Sequence, residues 1–138
     1  PRRASVARVL EAVSQGRPCT VDGCQIRVIG GQIWVFREFA AVERQRGTPD
    51  GLWDSRWRLH ASGGGGMGPL RVAALGPEGL QQCPEWRKSG RPREVLLSSP
   101  AVWRAEEVVA APFANRPGQW HAEIDGGEDA FFAALLSH

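Results

Sequence analysis

The sequence predicts an α+β fold, and three observations support this class. Apolar and polar residues alternate with a period of two over several short stretches, which is typical of half-buried strands. Short segments of helical period lie between these stretches, without the regular strand–helix alternation of a doubly wound parallel sheet. The pair Gly30-Gly31 separates two alternating stretches at hairpin spacing. We therefore expect an α+β domain with antiparallel β-hairpins and short helices.

The chain is long enough for one compact domain, with 138 residues of which 42% are hydrophobic. Apolar residues at helical spacing between residues 6 and 13 predict a first helix. We assign residues 1–16 to this helix, as a remnant of or connection to an upstream domain, and residues 17–138 to the domain itself. Because the chain begins at a proline, we expect it to be the downstream part of a longer polypeptide.

The first predicted hairpin follows this helix. Cys24, Ile26 and Val28 alternate with polar residues, Gly30-Gly31 interrupts, and the strand-like segment QIWVFREF comes next. Two glycines between alternating segments favour a two-residue turn. This stretch is therefore predicted to fold as a β-hairpin.

The segment LWDSRWRLHA, residues 52–61, predicts a strand with one apolar and one polar face. The apolar face carries Trp53, Trp57, Leu59 and Ala61 with Ser55, and the polar face carries Asp54, Arg56, Arg58 and His60. Residues 70–74 alternate again, with Arg71 on the polar side. We expect these two strands to pair with each other across the glycine-rich connection.

The remaining segments predict short elements of both kinds. PEGLQQCPEWRK is expected to be helical with a kink or new turn at Pro84, and PREVLLSS to be a helix led by Pro92. AVWRAEEVVAAP is interpreted as a tight hairpin or two short strands, and GQWHAEI as a further strand. EDAFFAALL, residues 128–136, predicts a terminal helix with acids at its start.

The charge and the cysteine content indicate the cellular compartment of the protein and the partners that it can have. The net charge is only +2, and every basic residue except Lys88 is an arginine. The three cysteines are an odd number without C-x-x-C spacing, so we expect free buried thiols, no metal site and a cytoplasmic protein. No apolar run is long enough for a membrane span, and the start lacks the core of a signal peptide.

The run SGGGGMG, residues 62–68, raises the question of a phosphate-binding loop. A Walker loop needs a lysine and a hydroxyl residue where Met67 and Gly68 stand here. The pyrophosphatase-type loop S-G-G-x-D-S lacks its aspartate and second serine. The run also leads to Pro69 rather than opening a helix. We interpret it as a flexible hairpin connection.

No other catalytic constellation is present in the sequence. Neither a G-x-S-x-G elbow nor an H-E-x-x-H motif occurs, and none of the three histidines has a local nucleophile. The acidic pair Glu106-Glu107 fits a hairpin tip, and Glu128-Asp129 fits a helix start. We therefore expect that this chain alone is not an enzyme.

The most charge-biased window is EWRKSGRPR. Arg87, Lys88, Arg91 and Arg93 lie within seven positions beside Trp86, an arrangement that suits contact with a nucleic-acid backbone. The polar strand residues Arg56, Arg58 and Arg71 extend this patch if the surfaces adjoin. The alternative is a solvated loop that pairs with Glu85 and Glu94.

The segments RVAALGPEGLQQ and GRPREVLLSSPAVWRAEEVVAAP resemble the C-terminal region of tRNA(Ile)-lysidine synthases. TVDGCQIRVIGGQIWVFRE and WDSRWRL resemble the upstream part of the same region, so the likeness spans about residues 16–112. Many members carry an arginine in the middle of the proline-led helix, where this chain has Leu96. The resemblance therefore directs RNA contact to Arg87, Lys88, Arg91 and Arg93.

The resemblance implies that catalysis and tRNA binding belong to different domains of the complete protein. An N-terminal domain, missing here, uses ATP and Mg²⁺ to adenylate the wobble cytidine of an isoleucine tRNA and to join lysine to it. The C-terminal region grips the acceptor-stem side of the tRNA and holds no cofactor. The resemblance further implies a layered α+β domain with a β-sandwich-like sheet, similar in fold to a domain of the phenylalanyl-tRNA synthetase β subunit.

A second class of function is a structural or dimerisation module. Six tryptophans and no tyrosine leave large apolar faces to bury. A flat sheet face with Trp34 or Trp120 would then pair with a second subunit in a homodimer.

Overall fold

The computed structural model describes residues 19–21, 24–62 and 69–125. The helix predicted near residues 6–13, the glycine run beyond Ser62 and the terminal helix predicted over residues 128–136 lie outside the described residues.

Short strands dominate the part of the chain that the structure describes. The strands are β1 (Cys19–Val21), β2 (Cys24–Ile29), β3 (Gln32–Arg37), β4 (Arg46–Gly47), β5 (Trp57–Ala61), β6 (Arg71–Ala74), β7 (Pro100–Arg104), β8 (Glu107–Ala110) and β9 (Trp120–Ile124). The α-helices are α1 (Phe39–Val42), α2 (Gly76–Gln81) and α3 (Arg93–Leu97), and two 3₁₀ helices span Trp86–Ser89 and Pro112–Ala114. The predicted α+β class is confirmed. None of the described helices is long and apolar enough to cross a membrane.

The strands form three antiparallel sheets in the described residues. One sheet has the order β1-β2-β3, the second β4-β6-β7-β8, and the third pairs β5 with β9. The second sheet is the centre of the domain, because its inner strands β6 and β7 are buried on both faces. Such strands have continuous apolar runs, as VAA and PAVW do here.

The predicted hairpin of β2 and β3 is confirmed. Ile29 pairs with Gln32, so Gly30 and Gly31 are the two turn residues. Their φ angles are 60° and 79°. Two consecutive left-handed residues define the turn that matches the twist of a hairpin, and glycine adopts it without steric cost.

The predicted hairpin of AVWRAEEVVAAP is also confirmed, as β7 and β8. Arg104 pairs with Glu107, and the register shifts between Val102 and Trp103. Because Val102 pairs with Ala110 and Trp103 with Val108, the strand β8 contains one extra residue there, which is a β-bulge. The Glu106-Glu107 pair lies at the exposed tip, as expected.

The predicted strand over residues 52–61 is wrong in its first half. Asp54 and Ser55 have φ angles of 53° and 56°. The backbone N–H groups of Trp53 and Trp57 each donate to the carbonyl oxygen of the other residue, which closes a tight turn between them. Asp54 is buried and Ser55 is exposed, the reverse of the prediction. An aspartate tolerates the left-handed conformation, so strict alternation alone did not reveal the turn.

The predicted pairing of residues 52–61 with residues 70–74 is also wrong. β5 pairs with β9, in the register Leu59 opposite Ala122, and β6 pairs with β4 and β7. β6 is a central strand with both edges occupied by other strands. The half-exposed strand β5 instead pairs with β9, which has a matching alternation of buried and exposed residues.

Prolines divide the helical region as predicted. α2 ends at Gln81, and a separate 3₁₀ helix begins after Pro84. Pro92 is the N-cap of α3 rather than its first residue, a difference of one position. GQWHAEI forms β9 as expected.

The core lies on both faces of the central sheet. On one face, Ala73 and Trp103 pack against Leu80 of α2 and Leu96 of α3. On the other face, a second cluster joins the central sheet to the β5–β9 sheet and to Trp53: Val42, Trp53, Leu59, Val72, Ala74, Val102, Ala110 and Trp120. Helices, central sheet and β5–β9 sheet therefore form successive layers.

Candidate nucleic-acid interface

The four residues of the basic window lie together on one connection, which we call the basic loop (residues 86–93). It runs from the 3₁₀ helix through Gly90, whose φ is 76°, to the start of α3. The left-handed glycine ends the 3₁₀ helix and reverses the chain. Arg87, Lys88 and Arg93 are exposed, whereas Arg91 is half-buried.

Aromatic rings fix two of these cations. The Arg87 guanidinium carbon lies 4.6 Å from the centre of the Trp86 ring, and that of Arg91 lies 5.0 Å from the Phe113 ring. Arg91 Nη1 also donates to the carbonyl oxygen of Phe113 at 3.3 Å. These contacts hold the guanidinium groups in place while their remaining N–H groups can still bond to a ligand.

The alternative interpretation, a loop neutralised by its own acids, holds only in part. Lys88 Nζ lies 2.8 Å from the Glu85 carboxylate, three positions earlier. Glu94 instead forms its ion pair with Arg27 of β2, which ties the β2–β3 hairpin to α3. An exposed pair such as Lys88–Glu85 is weak, so it leaves Lys88 able to exchange partners.

A groove adjoins the basic loop, with a volume of about 300 Å³. Trp34, Trp57 and Phe113 contribute aromatic surface to it, and Trp57 meets Phe113 edge-on with ring centres 5.0 Å apart. We call it the arginine groove, because Arg37, Arg56 and Arg91 line it. Among the described residues that line it, none is acidic.

Asp54 binds two of these arginines, Arg37 and Arg56. Arg37 Nε and Nη2 donate to its two carboxylate oxygens at 2.9 and 3.3 Å, and Arg56 Nη1 lies 3.4 Å from Oδ2. Gln45 Nε2 donates to Oδ1 at 3.0 Å. Although burial alone lowers the pKa of Arg37, the Asp54 carboxylate raises it above its usual value. The carboxylate therefore positions both guanidinium groups.

Arg56 therefore adjoins the basic loop through the arginine groove, but Arg58 and Arg71 do not line that groove. Arg58 lies on the polar face of the β5–β9 sheet, with its Nε 3.2 Å from Asp125. Arg71 lies over the Trp103 ring at 5.3 Å and donates to the Ala105 carbonyl.

Arg71 belongs to a second, larger groove of about 870 Å³. Three cations and three acids line it: Arg44, Arg46 and Arg71, and Glu43, Glu78 and Glu106. This mixture attracts a polyanion less than the arginine groove does. Of the seven predicted cations, Arg56 and Arg91 therefore line the arginine groove, and Arg71 lines the larger groove.

The burial of Leu96 explains one departure from the family pattern. Leu96 is fully buried in the helix-side core, beside Leu80 and Trp103. The face of α3 that carries it is therefore not a surface in this chain. That RNA contacts come from the preceding loop stays a prediction.

The expectation of buried free thiols is confirmed for Cys24 and Cys83. Burial raises the pKa of both thiols, and the charges of Arg56 and Arg37 only partly oppose this at Cys24. The side chain of Cys19 lies outside the described residues. A thiol with a raised pKa is a poor nucleophile and a poor metal ligand.

Sequence reasoning missed two members of the arginine groove, Arg37 and Trp34. Both lie in β3, where the alternating pattern was assigned to a hairpin and to a dimer surface. Cys24 pairs with Arg37 in the β2–β3 register, which places this arginine on the same face as the buried Cys24. A charged residue on the otherwise apolar face of β3, which Ile33 and Val35 share, is the one signal that would have indicated it.

Comparison with known proteins gives matches to one kind of enzyme. The chain is 42% identical over 142 residues to the tRNA(Ile)-lysidine synthase of Ruegeria pomeroyi, an alignment that covers all of this chain and 32% of that relative. It is 28% identical over 134 residues to the tRNA(Ile)-lysidine synthase of Wolbachia pipientis, covering 86% of this chain and 29% of the relative. No family model matches, and no solved structure does.

The chain thus spans about a third of the length of the curated relatives it matches. The resemblance predicted from the sequence is confirmed: the whole chain is similar to part of tRNA(Ile)-lysidine synthases. This partial coverage is consistent with a C-terminal region.

Proposed function

We propose that this chain is an accessory tRNA-binding domain of a tRNA(Ile)-lysidine synthase. The observation that carries the proposal is the 42% identity, along the whole chain, to a third of a protein with that name. In the complete protein, an upstream domain uses ATP and Mg²⁺ to join lysine to the wobble cytidine of an isoleucine tRNA. ATP and Mg²⁺ are assigned to that domain, and no residue of this chain is assigned to them.

The tRNA surface consists of the basic loop and the arginine groove. Arg87, Lys88 and Arg93 are exposed, and Arg91 connects the loop to the groove that Arg37 and Arg56 line. Cations along one surface neutralise successive phosphates, and each neutralised phosphate adds salt-sensitive affinity. Arg58 and Arg71, which lie elsewhere, contribute less.

The mode of recognition is by shape rather than by base sequence. The acceptor stem of a tRNA is an A-form duplex, in which phosphates and 2′-hydroxyls are the groups that a protein surface reaches. Guanidinium groups held against aromatic rings suit bidentate contact with phosphate. No base-reading element is required for this role.

Two further parts of the proposal follow from the resemblance. The fold is assigned by that resemblance to the type found in a domain of the phenylalanyl-tRNA synthetase β subunit. The complete enzyme acts in the cytoplasm, where its tRNA substrate is found.

Fluorescence titration of the chain with an isoleucine tRNA and with its acceptor-stem minihelix tests the proposal. We expect roughly micromolar or tighter binding at low salt, since electrostatic contact alone gives about that affinity. The binding should weaken at moderate salt and persist with the minihelix. If neither RNA binds at low salt, the tRNA-binding role is wrong.

A dimerisation module is the second candidate, favoured by one observation. Val28 and Ile33 are opposite each other in the β2–β3 hairpin and are 36% and 58% exposed. Trp120, in contrast, is a core residue, so it does not form the predicted dimer surface. Trp34 is half-buried in the arginine groove. Sedimentation that gives a monomer at all concentrations would exclude a homodimer of this chain.

A further inference from the structure

The polar face of the β5–β9 sheet brings two histidines and a glutamate together. His60 of β5 is directly opposite His121 of β9, and Glu123 lies two residues further along β9 on the same face. The two imidazole rings are stacked, with centres 5.0 Å apart and planes inclined at 27°. His60 Nε2 lies 2.9 Å from Glu123 Oε1. All three side chains are exposed.

The distances suit joint coordination of one ion. One ligand atom from each of the three side chains lies within 4.8 Å of the other two. Ligand atoms at about 2.0–2.2 Å from a tetrahedral zinc ion are roughly 3.3–3.5 Å apart, so modest side-chain rotations bring all three into place. The paired strands fix the backbone positions, and the exposed side chains have room to rotate.

We propose that His60, His121 and Glu123 bind a divalent transition-metal ion of the Zn²⁺ type. Two imidazoles and one carboxylate are a donor set that Zn²⁺ accepts, and it leaves the fourth position to water or to another ligand. Nitrogen ligands disfavour Mg²⁺ and Ca²⁺, which prefer oxygen, whereas Ni²⁺ and Cu²⁺ compete for the same site. Neither this site nor its test depends on the proposed tRNA role.

The charges around the site permit a cation there. Arg58 is opposite Glu123 in the strand register and would repel a metal ion, but its Nε lies 3.2 Å from Asp125. Together, Arg58, Asp125 and Glu123 carry a net charge of one negative unit. A bound cation neutralises that charge while the ligands join β5 to β9.

The consequence is a link between distant parts of the sequence. His60 lies just before the glycine-rich run, and His121 lies more than fifty positions later along the chain. A ligand that binds only the folded state raises the apparent stability with its concentration. The melting temperature should therefore rise with added Zn²⁺.

Calorimetric titration of the chain with Zn²⁺ at about pH 7.5, with NMR observation of the histidine ring protons, tests the proposal. We expect one ion per chain, with signal changes at His60 and His121. His121→Gln and Glu123→Gln should each weaken binding by about tenfold or more, since loss of even an outer partner of a ligand costs about 10–100-fold.

Matched substitutions separate this site from the remaining histidine and from general charge effects. His138→Gln removes the remaining histidine, and Glu107→Gln removes an exposed acid at the β7–β8 tip; both should bind Zn²⁺ like the unmodified chain. Zn²⁺ binding that His121→Gln leaves unchanged, or an absence of binding at about pH 7.5, would overturn the proposal. Because all three ligands are exposed, the variants should keep the circular dichroism spectrum of the parent chain.

Discussion

Arg37 and Asp54 form a two-point ion pair, with Arg37 Nε and Nη2 donating to separate oxygens of a carboxylate that is only 3% exposed. Arg37 belongs to the β2–β3 hairpin, whereas Asp54 lies in the turn that leads into β5. The pair therefore joins two of the three sheets. Asp54 also orients two of the three arginines of the arginine groove, Arg37 and Arg56.

Asp54→Asn should destabilise the fold by about 2–4 kcal/mol, because it leaves two part-buried arginines without their common counter-charge. Urea unfolding followed by tryptophan fluorescence measures the change. Asp125→Asn is the matched control: it breaks the exposed pair with Arg58 and should cost at most about 1 kcal/mol. Equal effects of the two substitutions would contradict the structural role of Asp54.

Gly79→Ala should also destabilise the fold, although alanine favours a helix over glycine by about 1 kcal/mol. A Cβ at residue 79 would lie 2.9 Å from the Trp103 ring and 2.7 Å from a methyl group of Leu75. Leu75 can move its methyl group, but Trp103 is packed between α2 and the central sheet. Overpacking of this kind costs about 1–3 kcal/mol, so we expect a net loss.

Gly47→Ala provides the comparison for Gly79→Ala, since the Cβ added there would meet nothing nearer than 3.6 Å. Thermal unfolding of the two variants should give a lower melting temperature for Gly79→Ala only. A Gly79→Ala protein as stable as the parent would show that Trp103 has room to shift.

Cys24 and Cys83 should react slowly with a thiol reagent in the native chain and rapidly in denaturant. Burial raises the pKa of each thiol, so the reactive thiolate is scarce in the folded state. Alkylation followed by peptide mass spectrometry measures each rate separately. Fast alkylation of Cys24 in the native chain would contradict the burial of its side chain.

The raised pKa of the Cys24 and Cys83 thiols also predicts how the stability of the fold depends on pH. Below the ordinary thiol pKa of about 8.5, both states keep the proton and the thiols contribute no pH dependence. Above it, the unfolded chain releases protons that the folded chain retains, so stability should fall as the pH rises further. A stability that increases over that range would contradict the raised pKa values.

Arg71→Ala should weaken tRNA binding less than Arg91→Ala does. Arg91 connects the basic loop to the arginine groove, whereas Arg71 lies in the larger groove among Glu43, Glu78 and Glu106. Electrophoretic mobility shifts at one fixed salt concentration compare the two variants. A larger reduction in affinity for Arg71→Ala would move the RNA surface to the larger groove.

Local sequence signals predicted most elements but not their long-range partners. The glycine pair at Gly30-Gly31 and the alternation of the β7–β8 segment each contain the information for a hairpin, because a short turn brings its own strands together. The partner of β5 is more than fifty residues away, and no local signal indicates it. The turn at Asp54 was missed because it depends on Arg37 and Gln45, which bond to its carboxylate from other elements.

Prediction of the candidate site had the same limit, because local sequence does not indicate which distant residues meet. The basic loop is contiguous in sequence, so the sequence alone places its four cations together; their contact with RNA stays a prediction. The arginine groove is assembled from β3, the turn before β5 and the basic loop, so only the fold brings Arg37, Arg56 and Arg91 together. The His60–His121 pair likewise exists only because β5 meets β9.

The most direct test of the proposed tRNA role compares two quadruple alanine variants by titration with isoleucine tRNA over a range of salt. One variant replaces Arg87, Lys88, Arg91 and Arg93; the other removes the same charge elsewhere, at Arg44, Arg46, Arg58 and Arg71. The basic-loop variant should bind weakly, and its salt dependence should be shallower by about one unit of log–log slope for each phosphate that it no longer neutralises. The second variant should keep most of the affinity and slope. Binding that the basic-loop variant retains unchanged would contradict the assignment of this surface.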